Sequence, residues 1–175
     1  MRLLSETEQR RLRQLPLTYD EIGMSLAADL PLGYRHVRRS VPLPPTTEWS
    51  QATKALFAWQ VQEGAGLTVR ASGQVEQGAV VEMRLGVGPV AARPRCLVVA
   101  VIDEPDRVGF AYGTLEGHPE SGEEAFLITR TSEGIQFRVT AFSRPATALG
   151  RLAKPVAERV QDAITERYLR ALSQP

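Results

Sequence analysis

The chain is poor in the residues that build covalent or metal-held frameworks. It has one cysteine and two histidines in 175 residues, so an intrachain disulfide is impossible and a Cys/His zinc site lacks ligands. The lone thiol, Cys96, fits a reducing compartment and reads as a small core hydrophobe. No charge sign is in excess either. The 21 basic and 20 acidic side chains leave +1, which excludes the footprint of a nucleic-acid binder or a polybasic membrane anchor. Long apolar runs are missing: the longest, Cys96 to Ile102, falls far short of the ~20 residues that cross a bilayer. Met1 to Leu15 is charged throughout, unlike a secretory signal. Lysine is scarce, with 2 against 19 arginines, and the arginines are spread over every segment, a compositional habit rather than a phosphate site.

What remains is the composition of an ordinary globular protein, 43% hydrophobic and 23% charged. At ~100–200 residues per domain, one domain is expected, with residues 1–32 as a helix and lead-in and 33–175 as its body. A chain of this size buries roughly 70% of its unfolded surface without staples. The expected setting is the cytoplasm, with no cofactor, no metal, no nucleic-acid partner and no membrane span.

Ser5 stands three residues before Glu8, a capping-box spacing that predicts a solvated helix over Ser5 to Gln14, stopped by Pro16. Leu17 to Leu32, with Gly23 and Pro31, reads as an irregular connection with one helical turn. Tyr34 to Leu43 alternates without a clean apolar face and predicts an edge strand. Thr46 or Thr47 then caps a helix whose stripe is Trp49, Ala52, Leu56 and Trp59, ended by Gly64 and Gly66.

From Leu67 to Phe142 the period is two. Strands are expected at Leu67–Ser72, Ala79–Val87, Leu97–Ile102, Arg107–Leu115, Glu123–Thr131 and Ile135–Phe142, an antiparallel meander. Pro155 suits the first turn of a final helix in which Val156, Val160, Ile164 and Tyr168 stack. Ala146 to Ala153 reads as a shorter helix leading into it. The order predicts an α+β fold: a curved antiparallel sheet of about seven strands around a long C-terminal helix.

The segment from Gly109 to Glu124 carries the polar chemistry. Gly109, Ala111 and Gly113 make a strip that lets a helix, a large side chain or a ligand come close. His118, Glu120, Glu123 and Glu124 fall within seven residues. A histidine beside a carboxylate can act as a general base, yet no nucleophile elbow or metal-ligand spacing accompanies it. Arg144 is placed to pair with Glu123 or Glu124 if the strand ends meet. Gly86-Val87-Gly88 is not a nucleotide fingerprint, since Pro89 follows and no helix opens there.

Read as GFAYGTLEGHPESGEEAF, this segment resembles the domain of unknown function numbered nineteen-ninety, found in bacteria and plants. Phe142-Ser143-Arg144-Pro145, Gln161, Tyr168, Leu17-Thr18-Tyr19, Trp59 and Glu76-Gln77-Gly78 extend the resemblance from about Tyr19 to Leu172. Glu116 departs from it, where proline is expected in many relatives. The family is similar to START domains, polyketide cyclases and the birch-pollen allergen, which implies a helix-grip fold with a cavity. It brings no activity and no catalytic residues to carry over.

Three function classes follow. In the first, the protein binds an apolar or amphipathic small molecule between sheet and terminal helix, with Trp59, Tyr112, Thr114 and Tyr168 around it and His118, Glu123 and Arg144 near the mouth. In the second, an enzyme of the same fold uses His118 or Glu123 for cyclase- or hydrolase-like acid–base chemistry. In the third, the edge strand or the terminal helices pair with another protein; the oligomeric state is open.

Overall fold

Eight strands form one sheet, and the strand that comes early in the chain closes on the last one. The computed structural model describes residues 1–86, 91–147 and 154–173. Within these, the strands are β1 (Arg2–Leu3), β2 (Arg35–Pro42), β3 (Thr68–Ala71), β4 (Val80–Arg84), β5 (Arg95–Asp103), β6 (Arg107–Thr114), β7 (Glu120–Thr131) and β8 (Gly134–Pro145). The helices are α1 (Glu6–Arg13), α2 (Trp49–Phe57), α3 (Gln60–Gly64) and α4 (Lys154–Ala171). The spatial order β1-β3-β4-β5-β6-β7-β8-β2 keeps the predicted meander intact from β3 to β8. The expected count of about seven strands omits β1, which pairs in parallel with β3 and makes the sheet mixed. Two residues are too few for any periodicity to announce them.

The element at Tyr34–Leu43 is an edge strand as expected, with Val37 opposite Ala141 on β8. A bulge between Val98 and Ala100 interrupts the β5–β6 ladder and bends the sheet there. The inner face carries Val81, Cys96, Val98, Phe110, Phe126, Ile128, Phe137 and Val139, all buried. No helix among the described residues is long and apolar enough to cross a membrane.

Two helical expectations change in detail. The stripe of Trp49, Ala52, Leu56 and Trp59 belongs to two short helices, because Trp59 takes a left-handed conformation (φ 63°) that ends α2 and starts α3. Its indole is buried and donates from Nε1 to the Gly73 carbonyl at 3.0 Å, so side-chain anchoring offsets an unfavourable backbone. The residue at the N-cap of α2 is Glu48, with no side-chain cap, rather than Thr46 or Thr47. Gly64 then lets α4 approach: a Cβ there would stand 2.9 Å from that of Ala171.

α1 has the predicted capping box, with Ser5 Oγ accepting from the Glu8 N–H and Glu8 accepting from the Ser5 N–H. It is not simply solvated. Leu12 is buried against Leu4, Val80 and Leu115 on the outer face, and Arg70 of β3 grips the Glu8 carboxylate at 2.7 Å. The Ser5 N–H and Arg70 together hold that carboxyl at about 2, well below its ordinary value. Ser5→Ala is expected to cost about 1 kcal/mol, read as a lower urea midpoint at an unchanged denaturant slope.

The expected polar loop before β7 is short. β7 begins at Glu120, three residues earlier than predicted, because β8 runs on to Pro145 and pairs with it there. Glu123 and Glu124 are therefore strand residues, and they point to opposite faces. The short helix expected over Ala146–Ala153 and the Gly86-Val87-Gly88 segment fall largely outside the described residues, as does the side chain of Val156.

Candidate functional site

α4 packs on α3, β8 and β2, and it leaves a cavity between itself and the inner face of the sheet. The cavity holds about 240 Å³, many times the ~30 Å³ share of one water. Its walls are mostly apolar: Leu67 and Met83 on one side, Ala141 beneath, and Val160 and Ile164 from α4. Tyr112, Thr114, His118, Glu124 and Tyr168 also line it.

Glu124 turns its carboxyl toward this space, which Glu120 also borders. It lies opposite Tyr112 on β6 and Ala141 on β8, in phase with the inner-face core. The Tyr112 hydroxyl donates to Glu124 Oε2 at 2.7 Å. Among the described residues Oε1 has no hydrogen-bond partner, and it is not sealed in the interior. Burial drives the carboxyl up to about 7, against a smaller opposing pull from the Tyr112 hydrogen bond. The same burial pushes Tyr112, Tyr168 and Cys96 well away from ionisation, and the Glu124 carboxylate pushes each further.

His118 sits at the same cavity on the turn before β7. Its Nδ1 lies 2.9 Å from both the carbonyl oxygen and the N–H of Glu120, and burial lowers its pKa to about 4. The imidazole is thus neutral near pH 7, while the glutamic acid across the site is half ionised. The Thr114 hydroxyl is occupied: Oγ1 accepts from the Gly122 N–H at 3.0 Å and lies 2.5 Å from Thr18 Oγ1.

The other residues expected around the ligand lie elsewhere. The Glu123 carboxylate is on the outer face, where it accepts from Tyr19 Oη (2.7 Å), the Gly23 N–H (2.8 Å), the Ser25 N–H (2.9 Å) and Ser25 Oγ. With four donors on it, it has no capacity left for substrate chemistry; only its strand backbone borders the cavity. The bare Cα of Gly113, opposite Glu123 on β6, makes room for the Tyr19 ring, so the glycine strip serves a neighbouring side chain there. Trp59 is fully buried behind Tyr112 and Phe110 and does not reach the cavity.

Arg144 pairs with neither Glu123 nor Glu124. The register sets it opposite Ser121, and its guanidinium stacks 4.6 Å over the Tyr34 ring. It lines a separate polar cleft with Tyr34 and Arg35, which shares Glu120, Ser143 and Gln161 with the cavity. Arg35 ties β2 to α4 through Gln161 and Asp162, each at 2.6 Å. Among the described residues, no group of three or more His, Cys, Asp or Glu is placed to hold a metal.

Glu124, rather than the expected Glu123, is the acid turned toward the cavity. The available signal was its phase: Glu124, Phe126 and Ile128 alternate along one strand, two apolar residues behind one acid.

The family described as a domain of unknown function, DUF1990, matches residues 18–171. A UPF0548 protein of Deinococcus radiodurans is 34% identical over 177 residues, covering 93% of this chain and 88% of its own. Among solved structures, a hypothetical protein from Helicobacter pylori superposes with a TM-score of 0.58 at 10% identity, over 79% of this chain and 86% of that one. Ara h 8.0201 superposes at 0.51 and 12% identity, over 81% of this chain and all (100%) of the other. At such identities these likenesses establish the fold alone, the helix grip.

Proposed function

The chain belongs to the DUF1990 family, and on that premise we propose that it binds a small molecule with an apolar body and one polar group. The observation that carries this reading is the apolar cavity beneath α4 with an open carboxyl oxygen of Glu124 in it. Apolar walls supply affinity at roughly 25 cal/mol per Å² buried, and one polar anchor supplies orientation. The cavity is modest, so the ligand is of fatty-alcohol or single-ring size rather than a sterol.

The test fills the space. Ile164→Trp places an indole in the cavity from α4, where Ile164 is only partly buried. n-Octanol, titrated calorimetrically, is expected to bind the wild type and to bind Ile164→Trp at least tenfold more weakly. The melting temperature of the unliganded variant should stay within a few degrees. Equal octanol affinity in the two folded proteins overturns the reading. Native mass spectrometry of freshly purified protein, followed by extraction, then identifies any co-purifying compound.

A second reading, acid–base catalysis, draws support from one observation: a glutamic acid titrating near neutrality and a neutral histidine border the same cavity. Displaced titrations of this kind suit proton transfer to a bound substrate. The acid would be Glu124, with His118 Nε2 as its neutral counterpart. Its signature is turnover that follows the ionisation of Glu124.

A further inference from the structure

We propose that the cavity's ligand is an organic amine bound as its ammonium form, with the cation on Glu124 Oε1 and the apolar body against Met83, Ala141 and Ile164. The inference deepens the binding reading and rests on it.

The charge of Glu124 is left uncompensated by its described neighbours. Among the described residues Glu124 is fixed by a single hydrogen bond to Oε2, and Oε1 has none. Tyr112 from β6, Tyr168 from α4 and Cys96 from β5, which feel its charge, are neutral at pH 7; His118 on the cavity wall is neutral too, and Glu120, another acid on that wall, brings no positive charge. Neither arginine nor lysine pairs with it among the described residues. A carboxyl in such surroundings either keeps its proton or takes a cation from outside. A ligand ammonium supplies the missing charge, in a space that the neutral Tyr112 and Tyr168 also line. A carboxylate ligand meets the opposite situation: like charge, partial desolvation, and no cationic partner for it among the described residues that line the cavity.

Binding also moves a proton. The fraction of Glu124 that is protonated before binding gives its proton to solvent as the ammonium docks, while the amine keeps its own. Amine affinity is therefore expected to rise with pH through the Glu124 titration and to level above it.

The experiment compares n-octylamine, n-octanol and n-octanoate by calorimetry at pH 5.5 and pH 8, on wild type and on Glu124→Gln whose fold is verified by circular dichroism. In the wild type at pH 8, octylamine should bind at least tenfold more tightly than octanol, with octanoate weakest. The preference for octylamine over octanol should shrink severalfold at pH 5.5 and disappear in Glu124→Gln. Octanol binding as tightly as octylamine at pH 8, or a preference that survives in Glu124→Gln, overturns the amine assignment and leaves the binding cavity standing. Failure of all three compounds to bind the wild type overturns both.

Discussion

Glu123→Ala is expected to lower the unfolding free energy by about 4 kcal/mol. The carboxylate is buried on the outer face and accepts four hydrogen bonds, from Tyr19 Oη, the N–H groups of Gly23 and Ser25, and Ser25 Oγ. Alanine leaves all of these donors facing one another around a void. Tyr19 is then left with a buried hydroxyl, and the 3₁₀ turn at Met24–Leu26 loses its tie to β7. Glu123→Gln should cost about half as much, since its one amide oxygen satisfies Ser25 but turns an N–H₂ toward two other donors. Urea unfolding at pH 7 measures both. A loss under 1 kcal/mol for Glu123→Ala would show that the lead-in is held by packing alone. Octanol affinity should be unchanged in Glu123→Gln, because that carboxylate does not face the cavity.

The second large effect has the opposite sign. Glu124→Gln is expected to stabilise the folded protein by about 2–3 kcal/mol at pH 8 and by almost nothing at pH 4.5. In the unfolded chain Glu124 gives up its proton near its ordinary value of 4.5; in the folded protein it holds on until about 7. Between these values the folded state carries the extra proton, so stability falls as pH rises, and above 7 the charge sits uncompensated in the cavity. Glutamine keeps the shape and the Tyr112 hydrogen bond while removing the charge.

His118 works against this in the wild type. Its folded value of about 4 lies below the ordinary 6.5, so the stability it contributes is present above 6.5 and lost as pH falls toward 4. Between about 4.5 and 6.5 the two slopes cancel, and wild-type stability is expected to be nearly flat. Glu124→Gln leaves only the histidine slope in that window. Unfolding curves at pH 4.5, 6 and 8 for both proteins give the difference, from which common titrations such as that of Glu8 drop out. A variant no more stable than wild type at pH 8 would mean that water in the cavity already solvates the ionised carboxylate.

Much of the architecture is legible from local chemistry. The capping box at Ser5 and Glu8 places α1, because those side chains satisfy the backbone of the same turn. Period-two alternation marks β3 to β8, whereas the uninterrupted apolar run at Leu97–Ile102, the pattern of a strand covered on both faces, lies in a strand buried at Cys96 and Val98 and half-buried from Val99 to Ile102. Tyr112 and Tyr168, expected at a ligand, do line the cavity. Less legible are the elements whose cause is remote in sequence. β1 exists because β3 offers it an edge, and the left-handed Trp59 because a pocket between α2, α3 and β6 holds its indole.

The order of elements, the alternation along each strand and the apolar spacing of the terminal helix were settled by the chain alone, since each depends on residues no more than a few positions apart. Which of two adjacent glutamates looks into the cavity was not. Strand side chains alternate faces, so the answer depends on the register of β6, β7 and β8, and a slip of one residue would exchange Glu123 with Glu124. Tertiary pairing of Tyr112 with Glu124, and of Gly113 with Glu123, made one acid a structural clamp and left the other with an open oxygen.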